Sequence, residues 1–225
     1  MTSWPGAWGA DPHGAMNRLD RQRQAMAIGL AALAGYVDAF GFLSADGFFV
    51  SFMSGNSTRL AVNLAEAPAR AILPALLILG FVAGVAAGAV VAEKAASRRK
   101  PAVLFFVAML LALAALARMA RWHGAMLSAL VLAMGALNNT FRRDGEVAVG
   151  LTYMTGALVR LGQAVAGLFL GSGAQGWGAY LMLWAGLVVG ALCGALAFLH
   201  FPAGASWLAA LWTAGMAMIA LRLRA

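Results

Sequence analysis

Long apolar runs separated by short polar or basic connections organise this chain. Runs matching the ~20 helical residues that cross a hydrocarbon core fall at roughly 25–43, 69–92, 101–119, 124–141, 176–199 and 204–222. Two further stretches, roughly 47–66 and 147–170, have the length to span but carry polar centres. In the first, "FVSFMSGNSTRL" (Phe49 to Leu60) packs three serines, an asparagine, a threonine and an arginine into twelve positions. Phe48 to Met53 are aromatic or β-branched for the most part, which predicts an extended segment. "SGNS" supplies a break, and "STRLAVNLAE" predicts a helix with Ser54, Asn56 or Ser57 as its N-cap. The second stretch has the same order: "VGLTYM" extended, "TG" a break, and "ALVRLGQAVAGLF" a helix with Thr155 as cap.

The two polar stretches belong to an internal repeat. "SFMSGNSTRL" aligns with "TYMTGALVRL" at an offset of 101, with Met53/Met154, Gly55/Gly156, Arg59/Arg160 and Leu60/Leu161 identical. Upstream, Gly35, Asp38 and Phe40 face Gly135, Asn138 and Phe141, the offset slipping by one within the motif. Downstream, Gly80, Gly84 and Gly88 correspond to Gly186, Gly190 and Gly194 at an offset of 106, the difference falling in the longer linker "GSGAQGWG". Glycine ladders alone prove little, because membrane helices use small residues for close approach. Three motifs in one order at similar separations point to a duplication. The ladders are read as tightening contacts within the monomer rather than building a dimer interface.

Composition fixes the solvent. The chain of 225 residues is 63% hydrophobic and 11% charged, with mean hydropathy +0.82, against about 25% charged for a soluble domain. It belongs in a bilayer. The net charge of +8 does not signal nucleic acid, since the Lys and Arg residues cluster between apolar segments, as topology requires. If all eight segments crossed with the N-terminus inside, Lys94, Arg98, Arg99, Lys100, Arg142 and Arg143 would face outward, against the positive-inside rule. If the polar stretches enter and leave on one side, six helices cross. Those charges then join Arg18, Arg21, Arg23, Arg222 and Arg224 in the cytoplasm, leaving Arg118 and Arg121 outside and Arg70 near that surface. Three crossings per repeat turn the second copy upside down.

The expected fold is therefore an all-α polytopic membrane protein of about six transmembrane helices, arranged as two inverted three-helix repeats, each with a re-entrant or broken polar element. Residues 1–24 read as a mobile cytoplasmic tail and 25–225 as one membrane domain, with repeat 1 at about 25–120 and repeat 2 at about 124–225. The basic triplet before the first run imitates a secretory signal. An uncleaved first helix is the better reading, because the run leads into Asp38 and further apolar segments. Pro68 and Pro74 suit the start of the third segment, where a missing N–H costs least. Trp184, Trp207 and Trp212 read as bilayer or packing residues.

Candidate chemistry concentrates at the breaks. A helix starting inside a bilayer presents free N–H groups and a partial positive charge, and two such starts facing each other near the midplane make a site for an anionic group. The substrate-binding candidates are Ser54, Gly55, Asn56, Ser57, Arg59, Thr155, Gly156 and Arg160. Asp38 and Asn138 are the candidates for coupling or structural pairing. The alternatives stay open: Arg59 pairing with Asp38 merely to hold the re-entrant element, Asp38 as a proton-coupling carboxylate, and the hydroxyls of Ser51, Ser54, Thr152 and Thr155 as packing groups. Asn139 and Tyr153 are undecided between the same roles. His13, His123 and His200 lie apart without metal-ligand spacing, and Cys193 has no partner for a disulfide. No metal or cofactor is expected. With Asp38 the only acid firmly inside a segment, an intramembrane enzyme acting on a lipid is a weaker alternative, as is a sensor or scaffold. The leading expectation is a secondary transporter or channel for a small anionic solute, one repeat moving against the other. Its partners are the bilayer and that solute, with oligomeric state open, homo-oligomer included.

"GYVDAFGFL" followed by "FVSFMSGNSTRLAV" and the glycine ladder resembles the bacterial YoaK-like family of membrane proteins of unknown function, over nearly the whole chain from about residue 25. The resemblance implies a bacterial inner-membrane location and a single membrane domain, and brings no established substrate or catalytic residue. Ala157 and Leu158 stand where the first half has Asn56 and Ser57, so the two halves are not equivalent.

Overall fold

The computed structural model describes residues 19–143, 146–147, 151, 154–170 and 177–222. The described residues form eight helices: α1 (Arg21–Ser44), α2 (Met53–Glu66), α3 (Ile72–Ala95), α4 (Arg99–Met119), α5 (His123–Leu137), α6 (Met154–Phe169), α7 (Trp177–His200) and α8 (Ala205–Arg222). One minimal antiparallel pairing sets Arg142 against Val147 and Arg143 against Glu146. α1 begins at Arg21, ahead of the apolar run, because Asp20 caps it by accepting the Arg23 N–H at 2.7 Å. Most of the expected tail lies outside the described residues.

The six apolar runs appear as α1, α3, α4, α5, α7 and α8. Four helical stretches are long and apolar enough to cross a membrane, and the one spanning Pro68–Met119 contains both α3 and α4, separated by a 3₁₀ turn at Ala96–Arg98. Pro68 opens the short 3₁₀ turn Pro68–Ala71 that leads into α3. α5 is shorter than the apolar run predicts, ending at Leu137 rather than continuing to 141. The reason is local: the Asn138 Nδ2 donates to the Met134 carbonyl at 3.0 Å and the Thr140 Oγ1 to the Leu137 carbonyl at 2.7 Å. Side chains that take carbonyls in this way compete with helix continuation.

The core is woven from both halves. α1 packs along α7, and α3 packs along α5, while α4 lies against α5 and α8. Glycines permit the two closest crossings. A Cβ on Gly190 would collide with the Ala32 carbonyl of α1 and one on Gly194 with the Tyr36 carbonyl; a Cβ on Gly84 would collide with the Leu132 carbonyl of α5 and one on Gly88 would stand 2.7 Å from the Ala136 Cα. The contacts are reciprocal: Gly35 meets Leu187 and Ala191, and Gly135 meets Phe81 and Val85. Gly35 and Gly135 are aligned in the repeat, as are the residues they touch, at the offset of the glycine ladders. Both crossings are parallel, since Gly84 and Gly88 follow Leu132 and Ala136 in the same order, as Gly190 and Gly194 follow Ala32 and Tyr36.

Chain direction follows from cations at the two ends. Lys100, at the start of α4, lies over the Phe141 ring at 5.9 Å and within electrostatic reach of Asp20 and Arg23. Arg118, near the end of α4, lies over the rings of Phe40 and Phe198 at 4.9 and 5.2 Å, and its Nε donates to the Pro202 carbonyl at 3.0 Å. Hence α1, α4 and α7 run from the Lys100 end to the Arg118 end, and α3, α5 and α8 run back. α2 connects two helix ends that both lie at the Arg118 end. α6 connects two that both lie at the Lys100 end. Fourteen and sixteen residues give α2 and α6 lengths of about 21 and 24 Å, less than the ~30 Å of a hydrocarbon core.

Candidate functional site

The first polar element is held by one carboxylate. Asp38 sits on α1 six residues before its end, and its Oδ1 accepts the N–H of Val50 at 2.9 Å and of Ser51 at 2.8 Å. Consecutive amides converging on one oxygen form an anion-binding nest, and charge-assisted bonds of this kind offset the cost of a carboxylate away from water. The chain after Ser44 is thereby pulled back along α1. Residues 48–52 are not the strand that their composition predicts and the chain bends at Val50 and Ser51, because the amides of Phe49, Val50 and Ser51 turn toward Asn56 and Asp38 instead of a neighbouring strand.

Asn56 completes the bend. It is fully buried; its Oδ1 accepts the Phe49 N–H at 3.0 Å and its Nδ2 donates to the Phe49 carbonyl at 2.7 Å. Both halves of the side-chain amide are engaged with one backbone unit, so Asn56 is a brace for the loop. α2 starts at Met53, earlier than the predicted break, with Phe52 in the capping position and no side-chain cap. Ser54, Asn56 and Ser57 therefore lie inside the helix and are not its cap. Ser57 Oγ donates to the Met53 carbonyl at 2.8 Å, Ser54 is exposed, and Gly55 lets the Phe52 ring lie directly on the helix.

Arg59 does not pair with Asp38. Among the described residues no ion pair links them, since Asp38 is engaged with the loop amides. The Arg59 guanidinium instead rests over the rings of Phe48, Phe49 and Phe42 at 5.3, 5.8 and 5.9 Å, against the backbone of Gly47. Gly47 has φ of 83°, a conformation that L side chains rarely adopt, so the turn and the seat for Arg59 depend on it together. Beside Arg59 an open cavity of about 790 Å³ lies between α2 and α3, with Asp46, Asn63 and Arg70 as its other polar lining. Asn63 Nδ2 donates to the Arg70 carbonyl at 3.3 Å, tying the end of α2 to the turn before α3.

The second element is arranged differently. α6 begins at Met154, which places Thr155 inside the helix and not at its cap. Thr155, Gly156 and Arg160 are all exposed, and a Cβ on Gly156 would meet nothing within 4 Å. The Arg160 guanidinium lies over the Tyr180 ring of α7 at 5.2 Å. Thr152 and Tyr153 lie outside the described residues. Asn139 is buried and its Nδ2 donates across to the Val85 carbonyl of α3 at 3.0 Å, a packing role.

The first-half candidates thus gather around one loop, while the two arginines are not brought together: α2 packs on α3, and α6 packs on α7. Asp46, Asn63 and Arg70 were not legible as site residues, because they flank the motif and only the tertiary turn brings them beside Arg59. The aromatic run around the motif was the available signal for the rings that seat it. Among the described residues no group of three or more His, Cys, Asp or Glu side chains is placed to hold a metal ion.

Buried polar side chains, a woven glycine-rich core and large aliphatic side chains exposed along the helices, such as Leu79, Val82, Val189 and Leu192, are those of a multi-pass helical membrane protein. The chain belongs to the family described as "Protein of unknown function (DUF1275)", whose model matches residues 26–219; this is the YoaK-like family. It is 37% identical over 183 residues to a UPF0700 transmembrane protein of Rhizobium meliloti (strain 1021), an alignment covering 79% of each chain. No solved structure matches the chain.

Proposed function

We propose that the protein is a secondary transporter or channel for a small anionic solute in the bacterial inner membrane, built as an inverted repeat with both termini cytoplasmic. The opposite run of α1 and α5 supports the inversion, as do the reciprocal glycine crossings and the return of α2 and α6 to opposite ends of the bundle. Orientation rests on the basic residues: Arg21, Arg23, Lys94, Arg98, Arg99 and Lys100 share the Lys100 end, and the positive-inside rule assigns that end to the cytoplasm. The single observation carrying the solute reading is that Arg59 and Arg160, matched in the repeat and set on short non-spanning helices, rest on aromatic rings instead of carboxylates. A seat on π faces leaves the outer N–H groups of each guanidinium for a ligand.

In this reading the moving parts are α2 and α6. Rocking one whole repeat against the other would have to open both glycine crossings at once, where backbone touches backbone. Movement of a short helix that packs on one neighbour breaks far fewer contacts. The test is uptake of a panel of small anions into proteoliposomes by wild type, Arg59→Gln and Arg160→Gln. The expected result is anion-selective uptake abolished in both variants while each still inserts. Normal uptake in both would overturn the reading.

A further inference from the structure

We propose that the cavity between α2 and α3 binds the anionic headgroup of an amphiphile, a phosphate or carboxylate carried on a hydrocarbon chain. The cavity lining combines two chemistries. α2 supplies Arg59 and the turn before α3 supplies Arg70; among the described residues Asp46 is the one acidic group lining the cavity with them, and no ion pair joins it to either. The remaining charge is positive. α3 supplies the apolar Ile72, Leu73 and Leu76. Ile72 and Leu76 are four residues apart and so share a helix face; they line the cavity and are 62% and 59% exposed.

Size and placement select the ligand. About 790 Å³ is far more than one inorganic anion fills and falls within the ~300–1,000 Å³ of sites for organic ligands. Arg70 stands directly before the apolar run of α3, the level at which headgroups meet hydrocarbon, and guanidinium is the side chain best matched to planar or bidentate oxyanions. A headgroup seated between Arg59 and Arg70 leaves its chain to lie along Ile72, Leu73 and Leu76. The inference shares Arg59 with the transport reading but does not require transport.

The experiment is native mass spectrometry of the full chain in a neutral detergent, titrated separately with phosphatidylglycerol, phosphatidylcholine, decanoate and inorganic phosphate. The expected result is saturable binding of one anionic amphiphile per chain, phosphatidylglycerol or decanoate according to whether the source is lipid or free solute. Phosphatidylcholine and inorganic phosphate should bind at least about tenfold more weakly, the loss of one charge-assisted contact or of the chain contact. Arg70→Gln and Leu76→Ala alter exposed positions without setting a new polar group against the hydrocarbon, and each should weaken the preferred amphiphile by several-fold to tenfold. Inorganic phosphate binding as tightly as the amphiphiles, or amphiphile binding unchanged in an Arg59→Gln, Arg70→Gln double variant, would overturn the proposal. Amphiphile binding with no anion uptake in proteoliposomes would overturn the transport reading alone; uptake without amphiphile binding would overturn this one alone.

Discussion

One oxygen of Asp38 accepts the amide of Ser51 at 2.8 Å across thirteen residues of sequence, together with that of Val50. This bond turns the chain leaving α1 back into the bundle and sets where α2 begins.

Asp38→Ala leaves two buried amides without an acceptor, at about 1–3 kcal/mol each. Asp38→Asn keeps a carbonyl oxygen in reach of the same amides. Thermal unfolding in detergent should therefore show a large loss of midpoint for the alanine variant and a clearly smaller one for asparagine. Equal losses would mean that the charge, not the acceptor, holds the loop.

Asn56 braces Phe49 through both its donor and its acceptor. Asn56→Asp preserves shape and acceptor but removes the donor and sets a carboxylate against the Phe49 carbonyl. The variant should lose about 2 kcal/mol or more and expose the 45–52 loop to protease before the rest of the chain unfolds. A loop as resistant as wild type would show that Asn56 is dispensable to it.

The reciprocal crossings predict matched penalties. Gly84→Ala and Gly190→Ala each force a methyl into a carbonyl of the opposite half, and both should unfold at lower temperature by similar amounts. Gly156→Ala and Gly162→Ala meet nothing within 4 Å and replace the poorest non-proline helix former with the best, so both should be neutral or stabilising by up to about 1 kcal/mol. A loss at only one of Gly84 and Gly190 would break the equivalence of the two crossings.

Arg118 clips the end of α4 to α1 and to the turn between α7 and α8. Arg118→Lys keeps a cation over Phe40 and Phe198 but loses the directed bond from Nε to the Pro202 carbonyl. The expected cost is about 1 kcal/mol, with Arg118→Gln costing more because the ring contacts go as well. Stability unchanged in both variants would reduce the clip to an incidental surface contact.

The class of protein and much of its plan are legible in the order of residues along the chain. Apolar run length marks the six long segments, because a helix must match the hydrocarbon thickness whatever its neighbours are. The two polar stretches, their shared motif and the glycine ladders were equally legible, since repetition is a property of the string. The same pattern overextends α5, which ends at Leu137, and delays α2, which starts at Met53. Asn138, Thr140 and Asn56 decide those boundaries through hydrogen bonds to particular backbone groups, and composition does not specify which groups they find.

What the charged and glycine residues touch is a property of the folded chain. Asp38 and Arg59 have opposite charge and lie on adjoining elements, so pairing them is a sound inference from sequence; yet two loop amides satisfy Asp38 better than a long side chain, and Arg59 is left to the aromatic rings. The glycine ladders announced close helix contact without naming the partner. That each half gives its third helix to the other half's first depends on distances between residues some hundred or more positions apart, which no local pattern encodes. The physical reason is the same throughout: hydrophobic matching to a bilayer is set residue by residue along the chain, whereas the partner of a buried polar group or a bare backbone is set by whatever the folded chain brings within about 3 Å.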